Sequence, residues 1–175
     1  MKDRLGTTLS INTIYRGRVF TVVNDKVKLP NGREASMDVI RHPSSVVLLP
    51  MPDIDHVILV RQYRYSIDRW IWELPAGTLE PNEDATDAAH RECQEETGYQ
   101  ANHLKPLGGF YPSPGYSDEM MIFFYLGDLK KLKTSLAPDS DEVLEPKIFT
   151  LTEARQLVRD SGSMDMKTVL GLSLI

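Results

Sequence analysis

Gly77-Thr-Leu-Glu-Pro-Asn-Glu-Asp-Ala-Thr-Asp-Ala-Ala-His-Arg-Glu-Cys-Gln-Glu-Glu-Thr-Gly-Tyr99 holds seven carboxylates, Glu80, Glu83, Asp84, Asp87, Glu92, Glu95 and Glu96, beside a single arginine, Arg91. From Asp84 to Thr97 it reads as a helix. Ala85, Ala88, Ala89 and Cys93 fall on one side, acidic residues occupy the first turn, and Gly98 stands just past the end. On such a helix Glu92 and Glu96 lie one turn apart on one face, with Glu95 beside them. Like charges at that spacing repel unless a cation sits between them. Hard divalent cations take oxygen ligands. The stretch therefore predicts a Mg²⁺ or Mn²⁺ site and chemistry on phosphates.

Strand signals surround this helix. Leu9–Tyr15 alternates apolar and polar residues, and Arg18–Val23 is rich in β-formers. Pro30-Asn31-Gly32 predicts a hairpin with a type I′ turn, followed by a strand from about Arg33 to Arg41. Further strands are expected over Ser44–Leu49, His56–Arg64, Trp70–Leu74, Leu104–Tyr111, Met120–Leu126 and Val143–Thr150, the last at an edge because of Pro146. Leu129–Asp141 reads as a loop. Thr152 is the expected N-cap of a helix that Gly162 breaks, and Asp165–Leu174 forms a final helix. One mid-chain helix among many strands, with helices at the end, gives an α+β fold rather than repeating βαβ units.

The bulk properties set the class. A chain of 175 residues with 41% hydrophobic content suits one globular domain with a small appended subdomain. A net charge of −5 argues against general nucleic-acid binding. One cysteine, Cys93, excludes an intrachain disulfide and Cys-rich zinc sites and fits a reducing compartment. His42, His56, His90 and His103 are not spaced as a metal cluster. No run approaches the roughly 18 apolar residues of a membrane helix, and the N-terminus lacks an apolar leader pattern. The expectation is a cytoplasmic protein with no membrane or nucleic-acid partner.

The fixed spacing of Gly77, Glu83, Arg91, Glu92, Glu95, Glu96 and Gly98 resembles the Nudix box of the Nudix hydrolases. The usual aliphatic positions are Cys93 and Tyr99 here. Downstream, Ser113-Pro-Gly-Tyr-Ser-Asp-Glu119 is similar to the loop of ADP-ribose pyrophosphatases and related nucleotide-sugar hydrolases, with Pro114 at the subgroup's proline. Arg61-Gln-Tyr-Arg64 points the same way. The resemblance implies an α/β/α sandwich (residues 42–175) with an N-terminal β-rich subdomain (residues 1–41) that forms a homodimer and helps build the base pocket.

It also implies roles by position. Glu92, Glu95 and Glu96, the Ala76 carbonyl and Glu119 would hold two or three Mg²⁺ or Mn²⁺ ions. Gly77, Glu83, Arg91 and Gly98 would brace the box, the glycines by permitting turns. Arg64 and Arg41 would meet the diphosphate, Ser113, Pro114 and Tyr116 the terminal sugar, and Tyr15 the base. Phe20 reads as core. Glu73 is expected to pair with the box arginine. The catalytic base is expected in the acidic loop of Asp139, Asp141, Glu142 and Glu145, with Glu142 the best positional match, or to be Glu95. Met37-Asp38 departs from the subgroup's Arg-Glu, which bears on base recognition. The activity implied is hydrolysis of a nucleoside diphosphate sugar, ADP-ribose or GDP-mannose for example, to a nucleoside monophosphate and a sugar phosphate. Hydrolysis of another nucleotide, or nucleotide-sugar binding without cleavage, are the alternatives.

Overall fold

The computed structural model describes residues 5–133, 144–160 and 165–175. The chain divides into two compact units: residues 1–44 with 111–120, and residues 45–110 with 121–175.

The first unit is a three-stranded antiparallel sheet of β1 (Thr7–Arg16), β2 (Thr21–Lys28) and β3 (Glu34–Arg41), with β2 central. β2 starts later than its composition suggests, because Gly17–Phe20 form the turn, closed by Gly17 N–H donating to the Phe20 carbonyl at 2.9 Å. The β2–β3 turn is not type I′. Pro30 fixes a negative φ at the first central position, Gly32 N–H donates to the Leu29 carbonyl, and only Gly32 takes positive φ, at 86°. Every residue of β1 is exposed. Phe20, expected in the core, is 40% exposed and lies against the Tyr15 ring at 6.2 Å. The segment 111–120 joins this unit through Ile40, whose N–H donates to the Tyr116 carbonyl at 2.7 Å.

The second unit contains two sheets. One is mixed, in the order β7 (Ala76–Thr78), β4 (Ser45–Pro50), β9 (Met121–Lys131), β8 (Tyr99–Phe110), with β4 and β9 parallel. The other is antiparallel, in the order β10 (Leu144–Thr150), β5 (His56–Arg64), β6 (Arg69–Glu73). Pro146 lies on the edge strand, as expected. All of β4 is buried, and its alternation separates two cores. Val46 and Leu48 meet Ala88, Ala89 and Cys93 of the mid-chain helix. Val47 and Leu49 meet Leu59, Leu74, Phe123 and Phe149, with Ala154 and Leu172 from the C-terminal helices α2 (Leu151–Asp160) and α3 (Met166–Ser173). This is the expected sandwich, with helices on both sides of the sheets.

The acidic helix is two pieces. α1 (Ala85–Glu92) is capped by Asp84, whose side chain accepts from Thr86 N–H, and it passes into a π turn over Cys93–Thr97. Thr97 Oγ1 donates to the Cys93 carbonyl within that turn, and burial pushes the Cys93 thiol up to about 11. Gly98 then takes φ of 73° and turns the chain directly into β8, which begins earlier than its composition suggests.

α2 is capped by Thr150, not Thr152. Glu153 N–H donates to Thr150 Oγ1 at 3.1 Å, and Thr150 N–H donates to Glu153 Oε2 at 2.8 Å, a reciprocal capping box. Thr150→Ala is expected to cost about 1 kcal/mol and lower the melting temperature by about 2–4 °C. A calorimetric scan checks this, and an unchanged midpoint would show the box to be idle.

Candidate active site

β7 runs across the carboxylate face of α1 and its π turn. Ala76 N–H donates to Glu96 Oε2 at 3.2 Å. A Cβ at Gly77 would land on the Glu92 carboxylate. Two consecutive peptides thus receive the two glutamates that the sequence places one turn apart. Gly77 is needed for this close approach and not for a turn, since it sits in a strand and its φ is not positive. Glu92 and Glu96 are buried, at 8% and 5% exposure.

The cation that the acidic stretch requires is present in the chain. Arg91 forks onto Glu83, with Nε donating to Oε1 and Nη2 to Oε2, both at 2.9 Å. Its Nη1 donates to Glu92 Oε1 at 2.6 Å and to Glu95 Oε2 at 3.0 Å, and Nη2 reaches the Thr78 carbonyl at 3.3 Å. Glu83 in turn accepts from Glu80 N–H at 2.8 Å. One guanidinium therefore ties three carboxylates and β7 together. The Glu83 hydrogen bonds raise the Arg91 pKa further, against the opposing effect of burial, and the same bonds hold the Glu83 carboxyl below its ordinary range.

Glu73 does not pair with Arg91, as the sequence suggested. It lies in β6 at 1% exposure and takes Arg64 in a bidentate fork, at 2.6 Å from Nε and 2.7 Å from Nη2, together with Lys167 Nζ of α3. Strands β5 and β6 are antiparallel neighbours, and the long Arg64 side chain reaches back along them to Glu73, while α1 lies over the other sheet. Burial alone would raise the Glu73 carboxyl, but the two cations outweigh it and the net shift is downward. Lys167 was missed in the sequence. Its signal is a lysine in the first turn of a helix, where the dipole disfavours a cation unless carboxylates answer it.

The remaining expected residues fall in the first unit or outside the description, except Glu145. Arg41 is held between Asp25 (2.5 Å) and Asp118 (2.9 Å). Glu119 Oε1 lies 3.8 Å from His42 Nδ1, and its N–H donates to Ser117 Oγ. Ser113 closes a turn, its carbonyl accepting from Tyr116 and Ser117 N–H. Pro114 and Tyr116 are exposed, as is Tyr15. Glu145 is on β10, 3.5 Å from Arg61. Asp139, Asp141 and Glu142 lie outside the described residues.

Among the described residues, no three His, Cys, Asp or Glu side chains already form a closed cage for a metal. Arg91 stands between Glu92 and Glu95 and keeps them from closing on one another. The donor set nonetheless fits a hard cation that keeps several waters and needs only one or two carboxylates. Glu92 and Glu96 provide oxygens beside the Ala76-Gly77 backbone, and Gly77 leaves room for the Glu92 carboxylate there. Gly77→Ala is expected to move that carboxylate and weaken Mn²⁺ binding about tenfold, with the melting temperature changed by less than about 3 °C. A titration followed by electron paramagnetic resonance checks it, and unaltered Mn²⁺ affinity would refute this role of Gly77.

The NUDIX domain family model matches residues 41–169, a span that contains this whole carboxylate face. The chain belongs to the Nudix family. This Nudix hydrolase is 35% identical over 175 residues to the ADP-ribose pyrophosphatase of Bacillus subtilis (strain 168), covering all of this chain and 95% of that one. It is 34% identical over 168 residues to the methanol dehydrogenase activator of Bacillus methanolicus, covering 96% and 91%. The crystal structure of an ADP compounds hydrolase matches with a TM-score of 0.83 at 28% identity, over 99% of this chain and 94% of that chain. Nudix hydrolases generally use divalent metal ions, in keeping with the donor set described.

Proposed function

We propose that this Nudix hydrolase cleaves the pyrophosphate bond of a nucleoside diphosphate sugar, ADP-ribose first among them, to a nucleoside monophosphate and a sugar phosphate. The observation that carries the reading is the convergence of Glu92 and Glu96 on the consecutive peptides of Gly77 and Ala76. The full-length likeness to an ADP-ribose pyrophosphatase supports the substrate class. Two or three Mg²⁺ or Mn²⁺ ions are proposed, held by Glu92, Glu95, Glu96 and the Ala76 carbonyl. Such ions neutralise phosphate oxygens and lower the pKa of the attacking water. Glu95 or Glu142 takes the proton from that water. Glu73 fixes the plane of the Arg64 guanidinium, so the diphosphate meets its remaining edge. Glu119 as a further ligand, and Arg41, Ser113, Pro114, Tyr116 and Tyr15 as substrate contacts, rest on the resemblance alone.

A homodimer through the N-terminal sheet and residence in the cytoplasm complete the proposal. Leu9, Ile11, Ile14 and Tyr15 are all about half exposed or more on β1, which supports the first. No helix among the described residues is long and apolar enough to cross a membrane. A second reading, activation of a partner enzyme, has in its favour the likeness to the methanol dehydrogenase activator.

The test is a panel of ADP-ribose, GDP-mannose, a dinucleoside polyphosphate and an oxidised nucleoside triphosphate, each with Mg²⁺ and with Mn²⁺. Release of monophosphate fastest from ADP-ribose or another nucleotide sugar supports the proposal. Absence of turnover on every nucleotide sugar would defeat it. Sedimentation equilibrium tests the dimer.

A further inference from the structure

β6 ends at Glu73 and β7 begins at Ala76, and between them the chain crosses from the antiparallel sheet to the mixed one. Backbone groups in such a crossing have no ladder of their own. Pro75 gives its carbonyl to Leu48 N–H at 2.9 Å. Leu74 N–H is met by a side chain instead, donating to Thr168 Oγ1 of α3 at 2.8 Å. Thr168 is fully buried, and its hydroxyl passes the bond on to Asp165 Oδ2 at 2.8 Å. Asp165 also caps α3 by accepting from Thr168 N–H at 3.1 Å.

The neighbouring residue of α3 grips the neighbouring residue of the crossing. Lys167 Nζ donates to Glu73 Oε2, the oxygen that also accepts from Arg64 Nη2, and lies 3.2 Å from Asp165 Oδ1. Arg64, Lys167, Glu73 and Asp165 thus balance as two cations and two anions. With Lys167 drawing on the same carboxylate, Glu73 orients Arg64 without cancelling its charge alone. One turn on, a Cβ at Gly171 would collide with Leu74 Cδ1, so α3 sits against the crossing as closely as backbone allows.

We propose that α3 is a positioning clamp whose two adjacent residues serve different halves of the site. Lys167, acting through Glu73, sets Arg64 for an anionic diphosphate; Thr168, acting through the Leu74 amide, sets the Ala76–Glu96 side where a divalent cation is held. The proposal rests on the reading of this protein as a metal-dependent diphosphate hydrolase. Both residues are buried, Lys167 at 8% and Thr168 at 0% exposure, and act through their neighbours. The two arms separate because Glu73 leads through its carboxylate to the Arg64 side chain of β5, whereas Leu74 leads along the chain, through Pro75, to the peptide that donates to Glu96.

The experiment uses the full chain and four variants, Lys167→Met, Lys167→Arg, Thr168→Val and Thr168→Ser. Three quantities are read for each: Mn²⁺ affinity without substrate, pyrophosphate affinity by calorimetry in EDTA, and KM and kcat for ADP-ribose at saturating Mg²⁺. Lys167→Met is expected to weaken pyrophosphate binding and raise KM, each about tenfold, with Mn²⁺ affinity and kcat nearly unchanged. Lys167→Arg restores both. Thr168→Val is expected to weaken Mn²⁺ binding about tenfold while leaving pyrophosphate affinity nearly unchanged, and Thr168→Ser restores it. Where either truncation fails to fold, Lys167→Gln and Thr168→Ala carry the same expectations.

A parallel loss of both affinities in both variants, tracking the fall in melting temperature, would reduce α3 to ordinary packing and overturn the proposal. So would normal affinities in both. A wild type inert toward every nucleotide sugar would instead overturn the functional reading, while the two binding measurements would still decide the clamp.

Discussion

Glu96→Gln is expected to fold normally and to lose about a thousandfold in kcat on ADP-ribose. Glutamine keeps an oxygen to accept the Ala76 N–H, so the contact between the π turn and β7 survives. What disappears is one negative charge on a carboxylate that is 5% exposed, where little solvent screens its attraction for a divalent cation. A metal centre supplies several kcal/mol of transition-state stabilisation, and each 1.36 kcal/mol lost is about tenfold in rate. Steady-state kinetics with a melting curve on the same sample is the measurement. Retention of more than about a tenth of wild-type kcat would remove Glu96 from the proposed ligands, while a collapsed melting temperature would mean that the residue serves the fold instead.

Arg91→Met is expected to damage both stability and activity. Its guanidinium ties Glu83, Glu92 and Glu95, and methionine leaves their charges facing one another in a partly buried cluster. Breaking a fully buried pair costs about 3–5 kcal/mol, and Arg91 is 26% exposed, so about 2–3 kcal/mol is the expected loss. That corresponds to a fall of about 4–12 °C in melting temperature for a chain of this size. Mg²⁺ gives a discriminating second reading. A cation bound among the released carboxylates replaces part of what the guanidinium supplied, so saturating Mg²⁺ should raise the melting temperature of the variant more than that of the wild type. An equal shift in both proteins would show that Arg91 and the metal do not act on the same carboxylates.

Much of the candidate site was legible in the sequence because its carboxylates sit on one local element. Glu92, Glu95 and Glu96 lie within five residues, and helical geometry places them together before any tertiary contact is known. The apolar run of β4 and the alanine side of α1 marked buried faces for the same reason, and the structure divides them between two cores. Misreadings occurred where a local pattern had more than one solution. Thr150 and Thr152 both precede an apolar run, and only the reciprocal bond with Glu153 selects the first. Glu73 was matched to the box arginine, and the Arg64 side chain, reaching along the neighbouring strand, takes it instead. Phe20 looks like core in any sequence, but it closes the turn between β1 and β2 and stays 40% exposed.

The sequence by itself determined the family, the acidic helix and the need for a cation upon it, since charge spacing along one helix is a local property. Only the tertiary structure decided which groups answer those charges: Arg91 between the glutamates, the Ala76 and Gly77 peptides against Glu96 and Glu92, and α3 with Lys167 and Thr168 holding the crossing beside them. These partners lie from one to more than ninety residues apart in the chain, and folding two sheets and a C-terminal helix onto one another is what makes them neighbours.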